Sequence, residues 1–270
     1  MSGSVEGVFF DLDKTVIARA GMHSLGTRFF QEGLITRRTV ARSLYAQTVY
    51  KYLGANERRL KRLENAVLNL TQGWEQSMVL RVVTEALGEI ITPLIYREAM
   101  DLSDLHHLAG RKGFLVSASP EEVVGPMASF LGVDGYIGSR SRVDEDGKYT
   151  GELMFYAYGP YKVEAIATLA ADEGIDLSSS YAYSDSYTDV PMLEMVGHPI
   201  AVNPDRVLTK VAKERGWEID ETSEETKVSR PYLVRTLRNV ALLVAVLAGG
   251  SAPFVGRSLL AERRDHQPSY

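Results

Sequence analysis

Apolar and polar positions along the chain follow two different rhythms. Val8-Phe9-Phe10, Gly113-Phe114-Leu115-Val116-Ser117 and His198-Pro199-Ile200-Ala201-Val202 are short runs with little polar alternation. Runs of this length predict strands buried on both faces, as in a parallel sheet. Tyr181-Ala182-Tyr183-Ser184 and the stretch from Asp134 to Ser139 add two more short strands. Between them, residues 121–131, 162–173 and 190–195 space their apolar side chains three and four apart, which predicts helices. Asp144-Glu145-Asp146-Gly147-Lys148 is a turn-rich tip, and Tyr149 to Phe155 returns from it as the second strand of a hairpin. This alternation predicts an α/β fold with a doubly wound, largely parallel sheet. Such sheets bind ligands at the carboxyl ends of their strands.

The second rhythm runs from about Ala20 to Met100. This stretch is rich in Arg, Leu, Ala and Glu, with apolar residues at helical spacing, as at Leu60, Leu63, Val67, Leu68 and Leu70. Gly54-Ala55-Asn56 and Thr71-Gln72-Gly73 read as breaks between helices. The expected division is therefore an α/β core from residues 1–19 and 101–220, a helical insert at 20–100, and a tail at 221–270. Within the tail, Asn239 to Gly256 carries no charge, with Arg235 and Arg238 before it and Arg257 after it. At about 18 residues it sits at the short end of the roughly 17–25 that span a bilayer. Gly249, Gly250, Ser251 and Pro253 interrupt it as a straight helix. Two readings stand: a helix packed on the core or on a partner, and a membrane contact through residues 235–257.

Composition narrows the function. The 270 residues are 45% hydrophobic and 24% charged, with a net charge of −5. Mild acidity argues against a general nucleic-acid binder. The absence of cysteine excludes disulfides, thiolate metal sites and cysteine nucleophiles, and it fits a reducing cytoplasm. Residues 1–7 have neither a basic region nor an apolar run, so no signal peptide is expected there.

Four polar elements interrupt the strand-and-helix pattern in an order that makes chemical sense. Asp11-Leu12-Asp13-Lys14-Thr15 follows the first strand. Two acids at i and i+2 on a strand-end turn can enter one site, one as nucleophile and the other as proton donor. Ser117-Ala118-Ser119 ends the Phe114 strand, where a hydroxyl and backbone N–H groups near a helix start can hold phosphate oxygens. Ser119 before Pro120 also reads as a helix cap, with Pro at the first helical position. Lys162, early in its helix, can offset phosphoryl charge, although a lone lysine is more often solvated surface. Ser184-Asp185-Ser186-Tyr187-Thr188-Asp189 supplies two acids at i and i+4, which meet at one site if a turn begins between them. So many carboxylates would repel a phosphate dianion, and Mg²⁺, which takes oxygen ligands, resolves the conflict.

Residues 6–205, with these four motifs in order, resemble the haloacid dehalogenase superfamily, in particular its phosphoserine phosphatase-like hydrolases. The resemblance implies a Rossmann-like core with residues 20–100 as an inserted helical cap of the first type. It implies that Asp11 is the nucleophile and forms an aspartyl-phosphate. It makes Asp13 the general acid and then base, and gives its backbone carbonyl to magnesium. Thr15 would orient the loop, Ser117 and Ala118 would bind the phosphate, and Lys162 would neutralise charge. Asp185 would ligate Mg²⁺ with Asp11, and Asp189 would support the metal or the lysine. Two positions depart from the pattern. Ser184 stands where glycine is common, and Lys14 stands where phosphoserine phosphatases commonly carry serine, which weakens serine-phosphate specificity. Dehalogenation needs neither Asp13 nor magnesium. The expected activity is hydrolysis of a small phosphomonoester. A phosphotransferase or phosphoprotein phosphatase on the same site, and a non-catalytic protein that keeps the fold, are the alternatives. Arg28, Arg42, Tyr45, Trp74 and Arg81 are candidate substrate contacts from the insert, although most such residues serve as surface or core of a helical bundle.

Overall fold

The computed structural model describes residues 5–17, 28–35, 65–87 and 97–221. Strands β1 (Gly7–Phe10), β2 (Lys112–Pro120), β3 (Gly135–Val143), β4 (Tyr149–Phe155), β5 (Tyr181–Ser184), β6 (His198–Val202) and β7 (Glu218–Asp220) form one sheet. Its order is β4-β3-β2-β1-β5-β6-β7, and every neighbouring pair is parallel except β3 with β4. The antiparallel pair is the hairpin expected from the Asp144–Lys148 tip, where the Asp144 carboxylate accepts from the N–H groups of Asp146 and Lys148.

Strand β1 shows why a run without polar alternation becomes a central strand. Val8 and Phe10 enter one apolar cluster with Leu115, Tyr183 and Ile200, while Phe9 enters the other with Phe114, Val116, Ala182 and Ala201. Both faces of the sheet are thus covered, and each fully buried large side chain contributes roughly 1.5–3 kcal/mol. The first face is packed by α1 (Gln76–Ala86), α2 (Arg97–Leu108) and α3 (Glu121–Leu131). The second is packed by α4 (Pro160–Glu173), α5 (Val190–Leu193) and α6 (Arg206–Arg215). Helix α2, strand β7 and helix α6 carry weaker sequence signals and emerge only here.

Two glycines serve different needs, one a close approach and one a backbone conformation. A Cβ on Gly138 would lie 2.9 Å from the Cα of Glu121, so glycine at this point of β3 lets the start of α3 sit on the strand. Gly159 takes φ 55° and ψ −129°, a conformation costly for other residues, and turns the chain into α4 with Pro160 at its start. Helix α3 corrects the capping expectation. β2 continues through Pro120, which is itself the cap residue, so Ser119 does not cap the helix and Pro120 is not its first residue.

Within the expected insert, residues 65–71 are helical and Gly73 takes φ 82°, as the Thr71-Gln72-Gly73 break predicts. Val79, Val82, Val83 and Ala86 of α1 join the same cluster as Val8 and Phe10. Gln76 donates to the buried Glu122 of α3 at 2.9 Å, so this part of the stretch rests on the core. Residues 20–27, 36–64 and 88–96 of the insert, including Arg42 and Tyr45, lie outside the described residues, as do residues 222–270 with the apolar run. Among the described residues no helix is long and apolar enough to cross a membrane.

Candidate active site

Parallel pairing brings three strand ends side by side. Phe10 is in register with Leu115 of β2 and with Tyr183 of β5. The residues that follow, Asp11, Ser117 to Ser119, and Ser184 to Asp189, therefore gather at one edge of the sheet. The Asp11 N–H donates to the Tyr183 carbonyl at 2.9 Å, which ties the first loop to β5. That loop then turns tightly: Val16 and Ile17 N–H both bond the Leu12 carbonyl, and the Lys14 N–H bonds the Ile17 carbonyl.

Lys162 is the residue that sequence position alone promotes least, and its geometry decides the matter. It is 3% exposed, and its ammonium donates to Asp11 Oδ1 at 2.9 Å and to Asp189 Oδ1 at 2.8 Å. A buried ammonium survives only when paired in this way. Burial lowers its proton affinity, but Asp11 and Asp189 outweigh that and hold the lysine above its ordinary pKa. Asp11 is also buried. Desolvation pushes its carboxyl up to about 8 against the pull of Lys162, and Asp189 and Asp185 add to the rise. Asp185 is raised as well, chiefly by burial and against the pull of Lys14.

Asp189 is reached through the turn that its spacing requires. A short 3₁₀ helix at Tyr187–Asp189 lies between the two acids. The Ser184 hydroxyl donates to Asp189 Oδ2 at 2.7 Å, so both oxygens of Asp189 are engaged. The serine in a position often held by glycine thus orients the carboxylate that orients the lysine. Asp205 supports the same loop. Its N–H donates to the Asp185 carbonyl, and its carboxylate accepts from the Tyr187 N–H while capping α6. A Pro-Asp pair before a helical run is a cap signal in sequence, but its contact with this loop is tertiary.

Ser117 is buried and its hydroxyl accepts from the Ser119 N–H at 3.1 Å. The Ser139 hydroxyl, also buried, donates to the Ala118 carbonyl at 2.7 Å and accepts from the Ala157 N–H at 3.1 Å. It therefore joins the Ser117 loop to the segment that leads into α4 and Lys162. Nothing in local sequence marks Ser139. Thr15 is buried, and among the described residues its hydroxyl has no hydrogen-bond partner. Asp13 is half-buried on the same loop and close enough to Lys14 to attract it. Of the candidate insert contacts, Trp74 packs on Phe29 with ring centroids 6.0 Å apart, and the exposed Arg81 faces Glu32. Neither is tied to these loops by a described contact.

The donor set bears on a metal. Asp11, Asp185 and Asp189 are buried acids with Asp13 beside them, against Lys162 and the largely exposed Lys14. Burial first, and then the neighbouring acids, raise the Asp11 and Asp185 carboxyls, and a cation beside them would favour their charged forms. Among the described residues no three His, Cys, Asp or Glu side chains converge as a metal cluster. The donors on offer are carboxylate oxygens without His or Cys, which suits a hard cation such as Mg²⁺ better than Zn²⁺.

Comparison with known proteins agrees with this arrangement. The family model described as haloacid dehalogenase-like hydrolase matches residues 8–194. The chain is 46% identical over 257 residues to an "Inhibition of morphological differentiation protein" of Streptomyces azureus, covering 95% of this chain and 93% of that one. It is 44% identical to a "probable phosphatase" of Mycobacterium tuberculosis, covering 91% and 87%. A protein named phosphoserine phosphatase SerB1 from the same organism is 34% identical, covering 82% and 72%. Among solved structures, a protein of unknown function from Bordetella pertussis Tohama I superposes with a TM-score of 0.72 at 26% identity, covering 82% of this chain and all of that one. A phosphoserine phosphatase captured as an analogue of its phospho-aspartyl intermediate shares the fold, with a TM-score of 0.57 at 18% identity, covering 82% and 95%. With the four motifs drawn to one sheet edge and these matches along most of its length, the chain belongs to the haloacid dehalogenase-like hydrolases, and it is an enzyme of their phosphoserine phosphatase-like phosphatase group.

Proposed function

We propose that the chain hydrolyses a small-molecule phosphomonoester in two steps through Asp11, with Mg²⁺ as cofactor. The observation that carries this reading is the buried Lys162 bridging Asp11 and Asp189 at the carboxyl edge of the sheet. Lys162 fixes the Asp11 carboxylate and leaves its second oxygen for attack. That oxygen forms a bond to phosphorus while the bond from phosphorus to the ester oxygen breaks, and Asp13 gives its proton to the departing alkoxide. A water then loses a proton to Asp13 and adds to phosphorus. The acyl-phosphate bond breaks, which frees inorganic phosphate and restores Asp11.

Ser117 and the backbone at Ala118 hold phosphoryl oxygens, and the Lys162 ammonium offsets charge on them. Asp11, Asp185 and the Asp13 carbonyl would hold Mg²⁺. When bound, it supplies positive charge against the phosphoryl oxygens and the clustered carboxylates. Residues 20–100 serve as the cap that shields the reaction from bulk water.

Relatives carry names for different esters: one is called phosphoserine phosphatase, and another, from Neisseria meningitidis, histidinol-phosphatase. Lys14 in place of the common serine favours an ester other than phosphoserine. The test is phosphate release from a panel holding phosphoserine, histidinol phosphate, a sugar phosphate and a lysophospholipid, with Mg²⁺ or with chelator. At least one small ester should turn over, and Asp11→Asn should abolish that turnover while the protein stays folded. Magnesium-dependent activity that survives in Asp11→Asn would refute the assignment.

A further inference from the structure

Lys14 is the one residue of the first loop whose chemistry the hydrolytic reading leaves unused. It takes φ 60°, a left-handed conformation that a residue with a β-carbon adopts at a cost, and such strain persists where surrounding structure enforces it. The loop enforces it here through the Lys14 N–H bond to Ile17. The side chain then runs to Asp185, with its Nζ 3.2 Å from Oδ2. Asp13 and Asp205 add weaker attraction for the ammonium. The two partners differ sharply in exposure: the Lys14 side chain is 66% exposed and that of Asp185 is 7% exposed.

We infer that Lys14 is a displaceable cation that competes with a divalent metal for Asp185 and lowers the affinity of the site for that metal. The inference rests on the metal reading proposed above and concerns the regulation of that same site. Asp185 is a buried carboxylate, so without a metal it needs a positive partner. Lys14 supplies one from the solvent side. A largely exposed ammonium on a flexible stem is held weakly and can leave without stranding itself. A divalent cation on Asp185 competes for the same charge and repels the ammonium, so the metal binds against both the lost ion pair and the residual repulsion. Lys162 cannot play this part, because it is buried between Asp11 and Asp189 and has no route to water that keeps it paired. The consequence is an enzyme that holds its site together at low magnesium and switches on over a higher magnesium range than the same site without the lysine.

The test uses the full-length chain stripped with chelator and titrated by calorimetry with Mg²⁺, and with Ca²⁺ as a second oxygen-seeking ion. Three forms are compared: wild type, Lys14→Gln, which keeps most of the stem and the backbone strain but loses charge, and Lys14→Arg, which keeps charge. Lys14→Gln should bind Mg²⁺ about five- to tenfold more tightly, and Lys14→Arg should stay within about twofold of wild type. Thermal unfolding should show a larger Mg²⁺-induced rise in Tm for Lys14→Gln, from a lower metal-free starting point. Equal or weaker Mg²⁺ binding by Lys14→Gln overturns the inference while leaving the metal reading intact. Failure of all three forms to bind either ion overturns both.

Discussion

The acidic site has a closed side and an open side, and they hold their charges in opposite ways. On the closed side Asp11, Lys162, Asp189 and Ser184 are all buried and joined in series by hydrogen bonds of 2.7 to 2.9 Å. On the open side Asp185 meets a lysine that stands mostly in water. A buried pair is maintained because each partner would be stranded without the other, so its geometry is fixed before substrate arrives. An exposed pair is worth little and can be exchanged. The site thus separates a rigid half, suited to aiming a nucleophile, from an adjustable half, suited to admitting a cation.

The sharpest way to break this contrast is to remove the charge at its closed centre. Lys162→Met leaves Asp11 and Asp189 as unpaired buried acids. It should destabilise the fold by about 3–5 kcal/mol in denaturant titrations, and turnover should fall by roughly 10²–10³. A loss of stability below about 1 kcal/mol would mean that the closed side is wetter than its burial indicates.

A second test separates scaffold from site. His106 of α2 lies away from these acids, bonded to the Tyr183 hydroxyl at 2.8 Å and faced by Arg111. Burial first, and then the Arg111 charge, lower its pKa from 6.5 to about 4. The imidazole is therefore neutral in the folded protein, while the unfolded chain takes up a proton below pH 6.5. Stability from this group is full above pH 6.5 and falls as pH drops toward 4, by on the order of 2 kcal/mol. Urea titrations from pH 7 to 4.5 should show that decline, and His106→Gln should flatten it.

The smallest effect belongs to Ser184. Ser184→Ala removes one bond to Asp189 but leaves the ion pair with Lys162. It should cost about 1.5 kcal/mol and several-fold in kcat with little change in KM. Equal losses in binding and turnover would show that the hydroxyl acts on the whole loop instead of on the lysine it aligns.

Much of this was legible in sequence, because the core strands and the chemistry are local. Val8-Phe9-Phe10 announces a strand covered on both faces, and Asp11 and Asp13 stand at its end. Asp185 and Asp189 stand four apart, which brings them together only if a turn begins between them, and Tyr187–Asp189 makes that turn. Lys162 was readable only from its place in an ordered set, since a single lysine carries no signal of burial. What escaped depends on contacts across the sheet. Ser139 joins Ala118 to Ala157 through its hydroxyl, and Asp205 reaches back from one loop to another. The capping expectation at Ser119 failed because strand β2 runs on to Pro120, held by pairing with β3. Periodicity within one segment cannot report how far a neighbouring strand extends it.

The most direct test of the two-step chemistry is to trap its intermediate. Acid quenching during turnover of a cleavable phosphomonoester should leave a phosphoryl group on the protein, released by hydroxylamine as an acyl phosphate is. Peptide mapping by mass spectrometry should locate it on Asp11, and Asp11→Asn should show none. Rapid turnover with no phosphoprotein at any quench time, or with the phosphoryl group mapped to another residue, would contradict the central claim.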